Sequence, residues 1–284
     1  MTVLITGATG TTGTLITAAA RTAGADVRTA ARHGADVAFD WYAPDTWPAA
    51  LVGCDRAYLV PPPGLDVAPA MVPFVELAHA RGLRRLVLLG NSVLPRGGPG
   101  VGTVWAALTD DDVVLRPSWF MQNTIGEHPL ARMIRDDDRI VTATGEGRIG
   151  FVDAADIAAV AVHALLDDPA PATELLVTGP ETLSYREVAA IVGAARGRPV
   201  TYQPVSVEEQ ARRLSTHYPP AFARALAAGD AYIAAGGEDR VTTCVPDVTG
   251  RPAARFADFA AAAFGQVAAA SHLTPTSPTQ RCTA

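Results

Sequence analysis

Short apolar runs alternate with helix-favouring segments along most of the chain. The first run, over 3–6, is β-branched and stops at Gly7, and the segment 11–23 that follows favours a helix ending at Gly24. Further strands are predicted over 26–31, 37–39, 56–60, 83–89, 113–115 and 174–177, and further helices over 45–51, 67–80 and 151–166. Because these runs lack polar alternation, they predict a parallel sheet covered by helices on both faces. The fold class is therefore α/β, with a Rossmann-type doubly wound sheet.

The rest of the chain predicts a smaller, mixed α/β region. Residues 119–148 carry few strand signals and several helix or loop signals. Ser184 and Glu187 have the spacing of a capping box, which predicts a helix over 188–195. A strand over 200–202 and helices after Ser206 and over 219–235 follow. A C-terminal helix over 251–269 and a disordered Thr-, Ser- and Pro-rich tail over 270–284 complete the prediction.

A glycine pattern separates the first predicted strand from the first helix. It has glycine at every third position of the segment Gly7, Ala8, Thr9, Gly10, Thr11, Thr12, Gly13. Glycines allow a tight turn and a close approach of the backbone to a pyrophosphate, whose charge then lies at the positive end of the helix. Three glycines alone could simply make a turn. Their place between a strand and a helix predicts a dinucleotide site.

The end of the second predicted strand indicates which dinucleotide binds. An acidic residue at this place would hold the ribose diol of NAD, but the strand ends on Arg32 and His33 instead. The planar cation of Arg32 suits a 2′-phosphate, which favours NADP(H) as the cofactor. Arg28 is a competing candidate on the same side of the strand, or it is simply solvated. Asp40, after the third strand, either reaches the adenine edge or caps the strand end.

The composition removes several classes of function. All 23 basic residues are arginine, so a Schiff base, a phosphate-loop lysine and a Tyr/Lys catalytic pair are excluded. The net charge of −6, without a basic cluster, argues against a nucleic-acid partner. Three widely spaced cysteines fit neither a disulfide framework nor a metal site, and no leader or membrane span is visible. We therefore expect a soluble cytoplasmic protein that binds no metal and no membrane.

Five segments carry a resemblance to a known family. They read FDWY at 39–42, YLVPPP at 58–63, LRPSWFMQN at 115–123, FVDAADI at 151–157 and TGPE at 178–181. Together with the glycine pattern, they resemble the NmrA-like, atypical short-chain dehydrogenase/reductase family, within it the bacterial relatives of the ergot-alkaloid enzyme festuclavine dehydrogenase. The resemblance runs from the glycine pattern to about residue 259.

The resemblance implies a domain organisation and a cofactor site. Residues 1–118, completed by 151–178, would form an NADP-binding Rossmann domain, and 119–150 with 179–250 would form a lobe that closes over the substrate. The turn of Val60, Pro61 and Pro62 and the region of Pro117 would lie near the nicotinamide ribose and ring.

One departure from the family affects the expected chemistry. Where such relatives often have a serine-rich end to the fifth strand, this chain has Gly90, Asn91 and Ser92. Reduction of a ketone places negative charge on oxygen and calls for a proton donor, which the Tyr/Lys pair of ordinary relatives supplies. An iminium ion needs no acid, because hydride addition neutralises it. Asn91 and Ser92 are the candidates to orient a substrate or relay a proton, although strand-end polar residues often only satisfy the backbone.

Aromatic side chains are the expected partners of a cationic acceptor. Candidates to line the pocket, with plain core packing as the alternative for each aromatic, are Trp105, Trp119, Phe120, Phe151 and, in the same motif as Trp119, Asn123. The loop residue His128 is a weaker candidate proton donor. The acidic runs 110–112 and 136–138 are interpreted as solvated turns.

These observations favour an NADPH-dependent reductase that acts on a cyclic imine or iminium in specialised, alkaloid-like metabolism. Two alternatives stay open: a reductase of quinones or related small molecules, and a non-catalytic, NADP-binding redox-sensing regulator of the NmrA type. For either kind of reductase, the expected partner is a small-molecule substrate. The protein is expected to be a monomer or a homodimer.

Overall fold

A computed structural model describes the backbone of residues 1–271 and the side chains of residues 1–265. The last helix begins at Phe256, five residues after the predicted start at 251, and extends to Ser271, two residues beyond the predicted bound of 269. Except for residues 270 and 271, the predicted disordered tail lies outside the described residues.

Strands and helices alternate along the described chain. The strands are β1 (Thr2–Thr6), β2 (Asp26–Ala31), β3 (Val37–Ala38), β4 (Arg56–Leu59), β5 (Arg85–Leu89), β6 (Val113–Pro117), β7 (Arg139–Thr142), β8 (Arg148–Ile149), β9 (Glu174–Val177), β10 (Leu183–Ser184) and β11 (Thr201–Pro204). The helices are α1 (Thr11–Thr22), α2 (Trp47–Leu51), α3 (Ala68–Ala80), α4 (Val101–Ala106), α5 (Pro129–Asp137), α6 (Ala154–Leu166), α7 (Tyr185–Arg196), α8 (Val207–Leu214), α9 (Pro220–Ala234), α10 (Cys244–Thr249) and α11 (Phe256–Ser271).

The central sheet confirms the predicted fold class. Its seven strands lie in the order β3-β2-β1-β4-β5-β6-β9, and every neighbouring pair is parallel. On β1, Val3 and Ile5 pack into one apolar cluster with α1 and α6, whereas Leu4 packs into another with α2 and α3. The sheet is thus covered on both faces. Strand order reverses beside β1, so the carboxyl ends of β1 and β4 border the crevice in which open α/β sheets bind ligands.

The smaller α/β region contains strands that the sequence pattern does not predict. Within the segment expected to have few strands, β7 pairs in parallel with β11, and β8 pairs antiparallel with β10. Each pair joins short strands that are far apart in sequence, so no local hairpin signal announces them. A third apolar cluster holds this region together, and Phe151, Tyr185 and Phe256 are among its buried members. We call this region the lobe.

Helix-start signals in the lobe are confirmed in detail. The Ser184 hydroxyl accepts from the Glu187 amide, and the Glu187 carboxylate accepts from the Ser184 amide at 2.7 Å, so the capping box is complete. Ser206 accepts in the same way from Glu209 at the start of α8. The sequence pattern does not predict helices α4 and α10, which have six residues each.

A half-buried acid within the lobe makes the stability of the protein depend on pH. Burial raises the pKa of Asp230 on α9 from 3.8 to about 6, against the opposing effect of hydrogen bonds from the Ala143 amide and the Gln210 side chain. Because the folded state binds this proton more tightly than the unfolded state, the stabilising contribution is complete below about pH 4. It is lost as the pH rises through 6.

We therefore expect Asp230→Asn to leave stability nearly unchanged at pH 4 and to raise it by about 1–3 kcal/mol at pH 8. The amide oxygen can still accept from Ala143, so only the ionisation is removed. Urea unfolding at the two pH values measures the difference, with the exposed Asp66→Asn as the control. An equal change at both pH values would contradict the assignment.

Candidate cofactor and acceptor site

The glycine pattern forms a tight turn between β1 and α1. Gly7 has a φ of +60°, and the Gly10 amide donates to the Gly7 carbonyl at 2.9 Å. A Cβ on Gly13 would lie 2.8 Å from Ala8 Cα and closer still to the Gly7 carbonyl oxygen. Since those are backbone atoms, only glycine lets the helix approach the turn so closely. The turn has the compact geometry that a bound pyrophosphate requires.

The first turn of α1 is open at its N-terminus. Gly10 precedes the helix without capping it through a side chain, and Thr9, Gly10 and Thr11 are exposed. The amides of this turn can therefore receive an anion. Thr12 differs from its neighbours, because it is buried and its hydroxyl accepts from the Tyr58 hydroxyl at 3.2 Å. Its side chain joins the helix to the sheet, and only its backbone remains for a ligand.

Two arginines on β2 and its end have different surroundings. Arg32 is exposed and pairs with no carboxylate in the described chain, and its loop reaches the glycine turn, because a Cβ on Gly34 would lie 3.7 Å from Thr9 Cγ2. Arg28 is half-buried and donates to the carbonyls of Ala50, at 3.4 Å, and Val52 at the end of α2. Arg28 is therefore neither solvated nor free, and Arg32 is the available cation.

Asp40 serves the turn that follows β3. Its carboxylate accepts from the Tyr42 amide at 3.0 Å, and its carbonyl accepts from the Trp47 indole at 3.0 Å. Of the two sequence-based alternatives, this geometry is that of the strand-end cap. The neighbouring Trp41 indole donates to the Val60 carbonyl at 2.9 Å. Asp40 thus fixes a turn that is tied to the end of β4.

The end of β4 lies directly beside the glycine turn. The Val60 amide donates to the Thr6 hydroxyl at 2.9 Å, and a Cβ on Gly7 would meet the Val60 side chain at 3.0 Å. Pro61 and Pro62 follow, both half-buried. The structure therefore brings the predicted Val60–Pro62 turn and the glycine turn together at one edge of the sheet.

Polar groups at the ends of β5 and β6 are linked to the lobe. Asn91 uses its carbonyl oxygen to accept from the amides of Val93 and Leu94, at 3.1 and 2.9 Å. The Ser92 amide donates to the carbonyl oxygen of the buried Pro117 at 3.0 Å. The Ser92 hydroxyl donates to Glu238 at 2.8 Å and is 1% exposed. Among the described residues the Asn91 side-chain nitrogen has no hydrogen-bond partner, whereas the Ser92 hydroxyl is already engaged.

Sequence reasoning missed the partners of Ser92. The hydroxyl of Ser118, just after β6, donates to the same oxygen of Glu238 at 2.9 Å, and Arg240 pairs with the other oxygen at 3.0 Å. Glu238 lies 146 residues from Ser92 and 120 from Ser118. No local pattern connects residues so far apart. Only the presence of Ser118 in a family segment pointed to this place.

The proposed pocket aromatics divide into two groups. Phe151 is 2% exposed and packs edge-on against Tyr185 and Phe256, with ring centroids 5.4 and 5.5 Å away, so its position is that of a core residue. The Trp105 ring, half-buried, lies under the Arg116 guanidinium at 5.3 Å and packs on the sheet. Phe151 therefore follows the core-packing alternative, whereas Trp105 keeps part of its surface exposed and stays a candidate.

The second group follows β6. Trp119, Phe120 and Asn123 are half-buried, and Phe120 bridges to Val152 where the sheet meets the lobe. These three have a side-chain surface that a ligand could meet. His128 Nδ1 accepts from the Leu130 amide at 3.2 Å as the N-cap of α5, so this ring nitrogen is not a proton donor.

The described part of the chain contains neither a membrane-spanning helix nor a metal-binding cluster. None of its helices is long and apolar enough to cross a membrane. No group of three or more histidine, cysteine or acidic residues in the same part is placed to hold a metal ion.

Comparison with solved structures identifies the fold. A nucleoside-diphosphate-sugar epimerase from Staphylococcus aureus superimposes with a TM-score of 0.78 at 20% identity, over 92% of this chain and all of that one. An NADPH-dependent quinone oxidoreductase from Escherichia coli, complexed with NADPH, gives 0.74 at 20% identity over 92% of this chain and 99% of the other.

Comparison with curated sequences identifies the family. The chain is 40% identical over 271 residues to the uncharacterized oxidoreductase YesF of Bacillus subtilis, covering 92% of this chain and 94% of the relative. It is 38% identical over 236 residues to festuclavine synthase II of Penicillium roqueforti, covering 78% and 82%. No family model matches the sequence. At this identity and coverage, the chain belongs to the NmrA-like, atypical short-chain dehydrogenase/reductase family of oxidoreductases, in the group that includes the festuclavine and agroclavine dehydrogenases.

Proposed function

We propose that the protein is an NADPH-dependent reductase that transfers hydride to a cyclic imine or iminium. The observation that carries the proposal is a complete dinucleotide turn in a chain without lysine. A reductase of this kind binds the cofactor but cannot use a Tyr/Lys acid. The name festuclavine synthase of a 38% identical relative supports an alkaloid-like acceptor.

The residues at the glycine turn fit the cofactor. Gly7, Gly10 and Gly13 leave a cradle that side chains would fill, and the open amides of α1 suit its pyrophosphate. Arg32, exposed in the loop whose Gly34 lies near Thr9, would hold the 2′-phosphate. When bound, NADPH supplies the hydride.

The choice of acceptor follows from the missing acid. Both Tyr58 and Tyr185 are fully enclosed, and burial raises the pKa of each hydroxyl above its usual value, so neither can give up a proton readily. An iminium ion carries its positive charge before hydride arrives, and the protein then needs mainly to position the reactants. Trp119, Phe120 and Asn123, which are half-buried near the Phe120–Val152 bridge, would line the pocket that does this.

Replacing Arg32 tests the cofactor assignment. We expect Arg32→Ala to weaken NADPH binding by about 10- to 100-fold while NADH binding stays the same, because only the 2′-phosphate loses its partner. The matched control is Arg84→Ala, an exposed arginine at the opposite edge of the sheet. Fluorescence titration gives both dissociation constants. Equal binding of NADPH by wild type and Arg32→Ala would remove the argument for NADP.

Oxidation of NADPH with four kinds of sample tests the reaction. We expect rapid turnover with N-methyl-3,4-dihydroisoquinolinium and slow turnover with the carbonyl compound α-tetralone, which has a similar size. Faster turnover with menadione than with the iminium would instead indicate a quinone reductase. Tight NADPH binding with no turnover of any acceptor would indicate a regulator, and the sample without acceptor gives the background rate.

A further inference from the structure

A buried carboxylate crosses from the lobe to the ends of two sheet strands. Glu238 lies in the segment 236–242 between α9 and α10, and it is 1% exposed. Its Oε2 is 2.8 Å from the Ser92 hydroxyl and 2.9 Å from the Ser118 hydroxyl. One oxygen atom thus accepts hydrogen bonds from both hydroxyls at the ends of β5 and β6.

The other oxygen of Glu238 determines the direction of these hydrogen bonds. Arg240 donates to Oε1 at 3.0 Å and also to the Ser92 carbonyl at 3.0 Å. A carboxylate paired with an arginine is ionised and has no hydrogen of its own, so both serines must be the donors. Each hydroxyl has a single hydrogen, and Glu238 therefore occupies both hydrogens.

The segment that carries Glu238 is held firmly on the sheet. The Thr242 amide donates to the Thr178 hydroxyl at 2.8 Å, just after β9. A Cβ on Gly150 would lie 2.6 Å from the Arg240 carbonyl oxygen, so the backbones are in close contact there. Ser92 and Ser118 are only 1% and 4% exposed, and the Glu238 side chain is a fixed part of their surroundings.

The Ser92 and Ser118 hydroxyls lie at the carboxyl ends of two central strands, where a substrate of an open α/β sheet is expected to bind. Ligands of open α/β sheets bind beyond the carboxyl ends of the strands, and β5 and β6 are central strands. Hydride addition to a carbonyl creates an oxyanion, and a donor to that oxygen is typically worth about 100- to 1000-fold in rate. Hydride addition to an iminium creates a neutral amine and gains nothing from such a donor.

We propose that Glu238 is a specificity-determining positioning residue, which withholds the Ser92 and Ser118 hydrogens from the acceptor and so disfavours carbonyl substrates relative to iminium ions. The inference rests on the proposed function, because it concerns the selectivity of that same site. Glu238 acts through the serines and is not itself a catalytic residue.

Glu238→Gln is the variant that releases the hydrogens without changing the shape of the side chain. Arg240 needs an acceptor, so the amide oxygen faces Arg240 and the amide nitrogen faces the serines. The serine oxygens then accept, and their hydrogens become free. We expect the ratio of kcat/KM for α-tetralone to that for N-methyl-3,4-dihydroisoquinolinium to rise at least about tenfold. Glu238→Ala, which removes the carboxylate altogether, should shift the ratio in the same direction.

Alanine variants of the serines provide the matched controls. Ser92→Ala/Ser118→Ala in the wild-type background should leave the ratio unchanged, because the hydrogens are not used there. The same pair combined with Glu238→Gln should return the raised ratio to the wild-type value. If both Glu238 variants change the two substrates equally, so that the ratio stays within about twofold, Glu238 is only structural and the proposal is wrong.

A spectroscopic measurement separates this inference from the proposed function. Failure of the wild type to reduce the iminium would overturn the proposed function alone. The infrared carbonyl stretch of α-tetralone, added to saturation with protein and NADP⁺, does not require turnover. We expect a lower frequency in Glu238→Gln than in wild type, because a hydroxyl now donates to the carbonyl. Identical spectra of the two proteins would overturn the role of Glu238 whatever the wild type reduces.

Discussion

Gly13→Ala is expected to raise the dissociation constant for NADPH by at least about 100-fold. The new methyl group would lie 2.8 Å from Ala8 Cα and closer to the Gly7 carbonyl oxygen, and real Cβ atoms do not approach other atoms so closely. Neither backbone atom can yield without opening the turn, because Gly7 also accepts from the Gly10 amide at 2.9 Å. Helix α1 must move away, and the amides of its first turn then no longer point at a bound pyrophosphate.

Gly229→Ala is the matched control for this substitution. Gly229 lies inside α9, and a Cβ there would have no atom within 4 Å. NADPH binding should be unaltered, and stability should rise by up to about 1 kcal/mol, since alanine favours a helix more than glycine does. Fluorescence titration and thermal unfolding measure the two quantities for both variants. Wild-type affinity in a folded Gly13→Ala protein would show that the turn does not bind the cofactor.

The sequence predicts the sheet well because its signals are local. The run ending at Gly7, the glycine pattern and the helix to Thr22 adjoin one another, and most strands of the parallel sheet contain a short apolar run of their own. The helix after Ser184 is predicted for the same reason, because Ser184 and Glu187, the two halves of the capping box, lie within four residues. Local chemistry of this kind can be interpreted without knowing the partner of any segment.

Non-local contacts account for what the sequence did not predict. Strands β7 and β8 depend on β11 and β10, and their short segments have no pattern of their own. The sequence allows Arg28 to be a solvated strand residue, but its guanidinium donates to carbonyl groups at the end of α2. Phe151 belongs to a family segment but packs into the lobe. In each case a distant element determines the environment.

The lack of lysine acquires a structural counterpart at the strand ends. By itself, the absence excludes the Tyr/Lys acid and leaves other donors possible. The structure shows that the serine hydroxyls nearest the ends of β5 and β6 are also engaged, by Glu238. The Asn91 side-chain nitrogen has no partner among the described residues, and it can orient a ligand but is no acid. Both features favour an acceptor that needs hydride and no proton.

Asp112→Ala is expected to lower the free energy of unfolding by about 3–5 kcal/mol. The acidic run 110–112 was interpreted as a solvated turn, which is wrong for Asp112, because its side chain is 0% exposed. Its carboxylate accepts from the Leu86 amide at 2.7 Å, from the Thr109 amide at 2.8 Å, and pairs with His79 at 3.0 Å. Alanine would leave the Leu86 amide buried without a partner at the start of β5.

The neighbouring Asp111→Ala is the control for this substitution, because the Asp111 residue is exposed and its carbonyl, which alanine keeps, is the atom that accepts from Arg85. We expect Asp111→Ala to change stability by no more than about 0.5 kcal/mol. Urea unfolding measures both variants. Similar small losses for the two would mean that water or a shifted loop can replace the buried carboxylate. A large loss for Asp112→Ala alone would show that this acid anchors β5, the strand that leads to Asn91 and Ser92.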